Sequence, residues 1–188
     1  MSALISDKML AANRELHGRD GYGGSGWKQA DTVAAFAHRL DARSVLDYGC
    51  GEGTLRMALG KGSKKRGIKG LRWKGKVLEY DPALVSKAVA QRAEVVVCTD
   101  VLEHVEPKCL DSVLAHIKAL ARKGAYFVVA TRWSNKTLPD GRNVHLIVKG
   151  ARWWVRRIRR AGFVIDDWQE IRRKGDDGPH SVRVWVRR

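Results

Sequence analysis

Apolar positions recur along the chain in two rhythms. Helical spacing places Val33, Phe36, Ala37 and Leu40 on one face of residues 28–40, and Leu110, Val113, Leu114, Ile117 and Leu120 on one face of residues 107–122. Pro107 suits the start of the second of these helices, and Gly124 lies past its end. Residues 2–17 predict a further helix with Met9, Leu10 and Leu16 as its apolar positions and Gly18 to end it. A last helix at 150–161 carries Trp153, Trp154, Val155 and Ile158 against Arg152, Arg156, Arg157, Arg159 and Arg160, which read as a solvated face. Short apolar runs at 44–48, 76–80, 94–99 and 125–131 predict strands, and 163–171 with 181–187 predict a terminal pair around a GDDGP turn.

The stretch Ser44 to Leu55, SVLDYGCGEGTL, joins the first of these strands to a short helix through Gly49, Gly51 and Gly53. Such a turn brings bare backbone close to whatever lies above it, and the helix N-terminus adds unpaired N–H groups that suit an anionic group such as a carboxylate. Asp47, at the strand's end, can accept hydrogen bonds from an amine or from the loop backbone. On the glycines alone, a ligand loop and an ordinary β–α turn are equal readings.

The wording around the glycines decides further. D-x-G-C-G-x-G after a Val-Leu strand resembles the first motif of class I S-adenosylmethionine-dependent methyltransferases. LEYDPAL (78–84) resembles that family's second motif, and VVCTDVLEHVEP (96–107) its fourth strand and following loop. The resemblance covers 27–188 and implies an α/β fold: a Rossmann-like three-layer sandwich, mostly parallel, with an antiparallel C-terminal strand. It implies S-adenosyl-L-methionine as cofactor, held by Asp47, Gly49, Cys50, Gly51 and Gly53, by Glu79, Tyr80, Asp81 and Pro82, and by Asp100, Val101 and Leu102. Asp81 best matches the family's ribose-binding carboxylate, Glu79 is the fallback, and Pro82 can pack against the adenine. The chain departs from the family between 82 and 93, where about a dozen residues suffice for one short helix but not for a full α–β–α crossover. The third strand is therefore expected to be missing or vestigial, and the residue contacting the adenine amino group is not assigned.

Residues 18–26, GRDGYGGSG, read as a lid leading into the core, from which Tyr22 and Lys28 reach the cofactor; a packing Tyr and a solvated Lys are the alternative. In the LEH pattern His104 is either a structural histidine bonded to backbone, as the family often has it, or a catalytic base. Residues 132–145 form a polar loop on the ligand side, and Asn143 and His145 are its candidates for touching substrate, beside the reading of a plain surface loop.

The net charge of +16 changes the picture of partners, because it favours anionic ones, nucleic acid among them. Residues 60–76 hold Lys61, Lys64, Lys65, Arg66, Lys69, Arg72, Lys74 and Lys76 with no acidic residue. This glycine-rich stretch reads as a mobile solvated loop or as a polyanion-binding insertion, with Lys64, Lys65 and Arg66 on phosphates and Trp73 stacking on a base. Length predicts a single domain over 1–188, with 1–26 as N-terminal helix and lid. The absence of a long apolar run or signal segment predicts a cytoplasmic protein off the membrane. Three cysteines without a C-x-x-C pair predict reduced thiols, and no His/Asp/Glu spacing suggests a metal cluster.

The expected activity is methyl transfer to an acceptor that the sequence does not identify, with nucleic acid or another polyanion as the first reading. The alternatives are a methyltransferase acting on a small molecule, glycan or protein side chain, and a non-catalytic module with a nucleotide-type pocket. A weaker resemblance is to small phage and prophage methyltransferases. Oligomeric state is not readable.

Overall fold

The computed structural model describes residues 3–18, 23–61, 64–65, 68–69, 73–172 and 178–188. Helix α1 (Asp7–His17) begins at Ser6, whose hydroxyl accepts from the Met9 N–H, as an N-cap should. A 3-10 turn (Gly26–Gln29) leads into α2 (Ala30–Arg39), then β1 (Ser44–Tyr48) and α3 (Thr54–Lys61). The short strands β2 (Lys64–Lys65) and β3 (Ile68–Lys69) precede β4 (Lys76–Tyr80) and β5 (Ala93–Thr99). Helix α4 (Leu110–Leu120), β6 (Ala121–Ala130), α5 (Ala151–Arg160), β7 (Val164–Ile171) and β8 (Ser181–Arg187) complete the order.

The main sheet runs β4–β1–β5–β6–β8–β7. Its first four strands are parallel, and β8 enters antiparallel between β6 and β7. Between β4 and β5 there is only a 3-10 turn, Val85–Lys87, so the third strand is absent and β4 is an edge. At the opposite edge, β7 turns Asp167, Gln169 and Glu170 outward, charge and polarity that discourage further pairing.

Alternation along the central strands explains the layers. Leu46, Val96, Cys98 and Phe127 face α4 and α5, while Val45, Val95, Val97 and Tyr126 face α2 and α3. The apolar positions of α4 are all buried, and α5 buries Trp154, Val155 and Ile158 with Arg152, Arg156, Arg159 and Arg160 exposed. The expected helix to 122 and strand from 125 need adjustment: α4 stops at Leu120, and β6 begins at once because Ala121 pairs with Ala93. Gly124 sits inside β6, where a Cβ would lie 2.4 Å from the Val186 carbonyl oxygen.

The basic segment requires a correction. Its backbone forms an antiparallel pair, Lys64 with Lys69 and Lys65 with Ile68. The side chains of Lys64 and Lys65, and all of Arg66, lie outside the described residues, and so do their expected phosphate contacts. Trp73 is described, and it is no stacking platform. It is buried with the α2–α3 core, and its indole N–H donates to the Ala42 carbonyl at 3.2 Å. No helix among the described residues is long and apolar enough to cross a membrane.

Trp73→Ala therefore removes core packing and leaves the Ala42 carbonyl short of a partner. It should cost about 3–5 kcal/mol of stability, read from urea denaturation. A Trp73 held in solvent would leave the midpoint unchanged.

Candidate active site

The glycine turn is tied to the neighbouring strand before it is tied to anything else. The N–H groups of Gly49 and Cys50 both donate to the Tyr80 carbonyl, at 2.7 and 3.1 Å. Gly51 takes φ 48°, and a Cβ on it would lie 2.6 Å from the Gly23 carbonyl oxygen. Only a glycine lets the segment from Gly23 to Ser25 lie directly on the turn. That segment is fastened at two points: Glu52 N–H donates to Gly23, and the Ser25 hydroxyl donates to Asp100 at 2.8 Å. It thus bridges the ends of β1 and β5.

Three carboxylates converge beneath it. Asp47 and Glu79 are register partners on adjacent parallel strands. Lys87, carried by the short connection after β4, donates to the Gly51 carbonyl at 3.0 Å and reaches Glu79 at 3.4 Å, and Arg56 pairs with Glu79 at 3.1 Å. Burial, and next the charge of Glu79, raise the Asp47 carboxyl to about 7. Asp81 behaves oppositely. Burial opposes its ionisation, yet hydrogen bonds from His17, Ala83 and Gly51 hold it below the usual carboxylate range. Burial, with Asp47 next, pushes the Cys50 thiol up to about 12, so it is no nucleophile.

A second group of side chains forms where β5 and β6 end. Glu103 is fully buried and accepts from the Ala130 N–H at 2.9 Å. Burial, with Asp100 next, raises its carboxyl to about 8. His104 Nδ1 lies 2.9 Å from the Val144 carbonyl, and His145 Nδ1 lies 2.7 Å from the Arg132 carbonyl. A carbonyl only accepts, so each Nδ1 is the protonated nitrogen and each Nε2 is left as the basic one. Burial, and next His145, lower His104 to about 4 and keep it neutral. The two rings meet edge to face at 4.9 Å.

Both groups border one cavity of about 530 Å³. Of the residues expected at the cofactor, Gly49, Gly51, Tyr80, Asp81 and Pro82 line it, as do Asp100, Val101 and Lys28. Asp47, Cys50, Gly53 and Glu79 stand behind that lining, where they shape the turn and its charge. Leu102 does not face the cavity: the 3-10 turn Leu102–His104 rotates it into the core at 0% exposure. Tyr22 lies outside the described residues. His104 and His145 line the cavity. Asn143 instead holds the loop, accepting from the N–H groups of Ser134 and His145 and donating to the Ser134 carbonyl. Sequence reasoning missed His17, which approaches Asp81 at 3.5 Å, and Lys87. Neither belongs to a motif; His17 ends α1 and Lys87 sits in the short β4–β5 connection, and only the fold brings both to the glycine turn.

The family profile described as Methyltransferase domain matches residues 27–172. The chain belongs to this family, the S-adenosylmethionine-dependent methyltransferases. Solved methyltransferases share its fold. A Burkholderia thailandensis 1,6-didemethyltoxoflavin N1-methyltransferase, with that substrate and S-adenosylhomocysteine bound, is similar at TM-score 0.63 and 20% identity, covering 100% of this chain and 92% of its own. A DhpI–S-adenosylhomocysteine complex is similar at TM-score 0.58 and 17% identity, covering 97% and 98%. The magnesium protoporphyrin IX methyltransferase of Synechocystis PCC 6803, also with S-adenosylhomocysteine, is similar at 0.51 and 17%, covering 97% and 95%. Comparison with curated proteins returns no match.

Among the cavity-lining residues of the methyltransferase, Asp81 has the chemistry that the cofactor's ribose would require. The backbone N–H groups of the turn from Gly49 to Gly53 are all donated within the protein, to Tyr80, Asp81, Gly23 and Cys50, so the turn brings close-packed bare backbone rather than open donors to the cavity. Glu79 would supply negative charge for the cofactor's ammonium group on this side of the site, while Asp47 keeps its proton to about 7. Asp81 is ionised, and three of the roughly four acceptor positions of its oxygens are used by Gly51, Ala83 and His17, which leaves capacity for a ribose hydroxyl. Asp81→Ala should weaken S-adenosylhomocysteine binding about 10- to 100-fold, the range for a hydrogen bond to a charged group, as read by calorimetry.

The methyltransferase should also lose stability as pH rises. Asp47 keeps its proton to about 7 when folded and loses it near 3.8 when unfolded. The native state holds the extra proton across that window, so stability falls as pH rises through it and stays lowered above it. Asp47→Asn is neutral throughout and should flatten the decline in the urea midpoint between pH 4 and 8. An unchanged decline would show that Asp47 ionises normally.

Proposed function

We propose that the enzyme methylates a hydroxyl of a small organic acceptor held in the cavity beside the glycine turn. The observation that carries this is the enclosure: Gly23 to Ser25 cover one end and α1 packs through Met9 and Leu16 onto Leu138 and Val144 at the other. A cavity of about 530 Å³ falls inside the roughly 300–1,000 Å³ of small-molecule sites. The solved neighbours act on a toxoflavin precursor and on magnesium protoporphyrin IX, both small molecules. Burial of Trp73 takes away the aromatic stacking contact expected of the basic insertion, while its charge stands.

When bound, S-adenosylmethionine supplies an electrophilic methyl group and departs as a neutral thioether. The chain's residues have correspondingly little covalent chemistry to perform. Gly49, Gly51 and Asp81 position the donor side, and the covering segment excludes water. An acceptor hydroxyl must lose a proton as its oxygen bonds to carbon. The Nε2 atom of His145, whose ring is oriented by its Nδ1–H bond to the Arg132 carbonyl and which lines the cavity, is the acceptor this reading assigns to it.

The test supplies labelled S-adenosylmethionine to the enzyme with hydroxylated small metabolites, RNA, DNA and protein in parallel. Label should enter the small-molecule fraction, and His145→Ala should lower its rate at least about 100-fold, the lower range for a proton-transfer group. Label entering nucleic acid or protein instead would overturn the small-acceptor reading.

A further inference from the structure

We propose that the outer face of α5 is a docking surface for the phosphate backbone of double-stranded nucleic acid, separate from the methyl-transfer cavity. Helix α5 holds Arg152, Arg156, Arg157, Arg159 and Arg160 and no acidic residue. Arg157 is engaged, since it pairs with Asp111 of α4 at 2.6 Å. The other four are exposed and have no ion-pair partner among the described residues. Their spacing puts them on one side of the helix, along about 12 Å of its axis. Two lysines extend the row. Exposed Lys149 precedes the helix, and Lys118 of α4 lies across the turn that follows it, where a Cβ on Gly162 would sit 2.2 Å from the Lys118 Nζ.

A solvated face does not account for this arrangement. Exposed helix faces gain stability from opposite charges at i, i+4 spacing, and like charges at that spacing cost stability. Arg152 with Arg156 and Arg156 with Arg160 are both like pairs, and Arg152 stands in the first turn, beside the positive end of the helix dipole. The helix is held by its other side, where Trp154, Val155 and Ile158 enter the core. Its outer charges therefore oppose the fold that carries them, and an anionic partner relieves that repulsion.

The chemistry of the row selects the partner. Arginine's planar fork meets phosphate oxygens in pairs. A duplex presents about one charge per 1.7 Å of its axis, so several arginines can be matched at once. Single strands are gripped through stacked aromatic rings, and α5 presents none: Trp154 is buried, and Trp153 packs edge-on against it with centroids 4.9 Å apart. Lipid surfaces take up an apolar helix face, and that of α5 is already inside the core. Contacts to phosphate alone carry no sequence information, so the docking is tolerant of sequence. No residue of α5 lines the cavity, so this binding does not depend on which acceptor is methylated.

The test titrates full-length protein with a mixed-sequence DNA duplex across ionic strength. Each phosphate contact adds about 0.9 to the slope of log affinity against log salt. Arg156→Gln combined with Arg160→Gln should therefore flatten that slope by about 1.8. Lys74→Gln combined with Lys76→Gln removes the same charge at the opposite edge of the sheet and should leave the slope as in the wild type. The α5 variant should melt no lower than the wild type and bind S-adenosylhomocysteine equally well. In the wild type itself, duplex should shield the four arginines from phenylglyoxal, a readout that needs no variant to fold. Lack of saturable duplex binding, equal flattening by the two double variants, or unshielded arginines would overturn the surface. So would an α5 variant that loses affinity for phosphatidylserine vesicles or poly-glutamate and not for duplex.

Discussion

Three carboxylates at neighbouring strand ends are the burden around which the donor side of the site is built. Parallel pairing puts Asp47 beside Glu79 in register, and Asp81 follows one residue beyond β4. Bare, this cluster would repel itself in a region of low dielectric. The chain answers with Lys87, Arg56 and His17, one each from the β4–β5 connection, α3 and α1. Those contacts also position structure. Lys87 reaches across to the Gly51 carbonyl, while its own carbonyl accepts from Asp81 N–H, so the residue that balances the charge also clamps the glycine turn to the end of β4.

The missing third strand gains its meaning here. A full crossover after β4 would carry the chain away from the strand ends and back again. The short connection instead keeps Val85–Lys87 as a single 3-10 turn directly beside them. Leaving β4 as an edge exposes part of one strand, yet it delivers a cation to the carboxylates within a few residues of Asp81. The opposite edge, β7, is protected by other means, with polar side chains along its length.

What could be read in the chain followed physical range. The strands 44–48, 76–80 and 181–187 match their observed bounds, and the buried face of α4 matches residue for residue, because period and burial are local properties. The glycine turn was legible for the same reason. Trp73 misled because its sequence neighbours are lysines and glycines, while its partners are the Ala42 carbonyl and the space left by Gly75. Leu102 misled because it is contiguous with Asp100 and Val101, and a single 3-10 turn sends it to the other side. His17 and Lys87 carried no motif, and their roles exist only once α1 and the short connection have docked.

The acceptor side was hardest to read because it is made almost wholly of distant contacts. Glu103 and His104 leave β5 on one short turn, but His145 arrives from a loop that must first pass under α1. Several bonds set that path: Ser6 donates to Glu106, Met9 and Leu16 pack on Leu138 and Val144, and Ile147 donates to Glu103. Each is modest alone, and each closes a different loop of chain. Together they place two histidines edge to face with their Nδ1 atoms committed to carbonyls. The donor side can therefore be recognised from a few consecutive residues, since the glycine turn and the carboxylates at the neighbouring strand ends are local features of the chain. The acceptor side is assembled from the N-terminal helix, the β5 turn and the 132–147 loop, so its shape can change by altering any one of them while the fold beneath stays as it is.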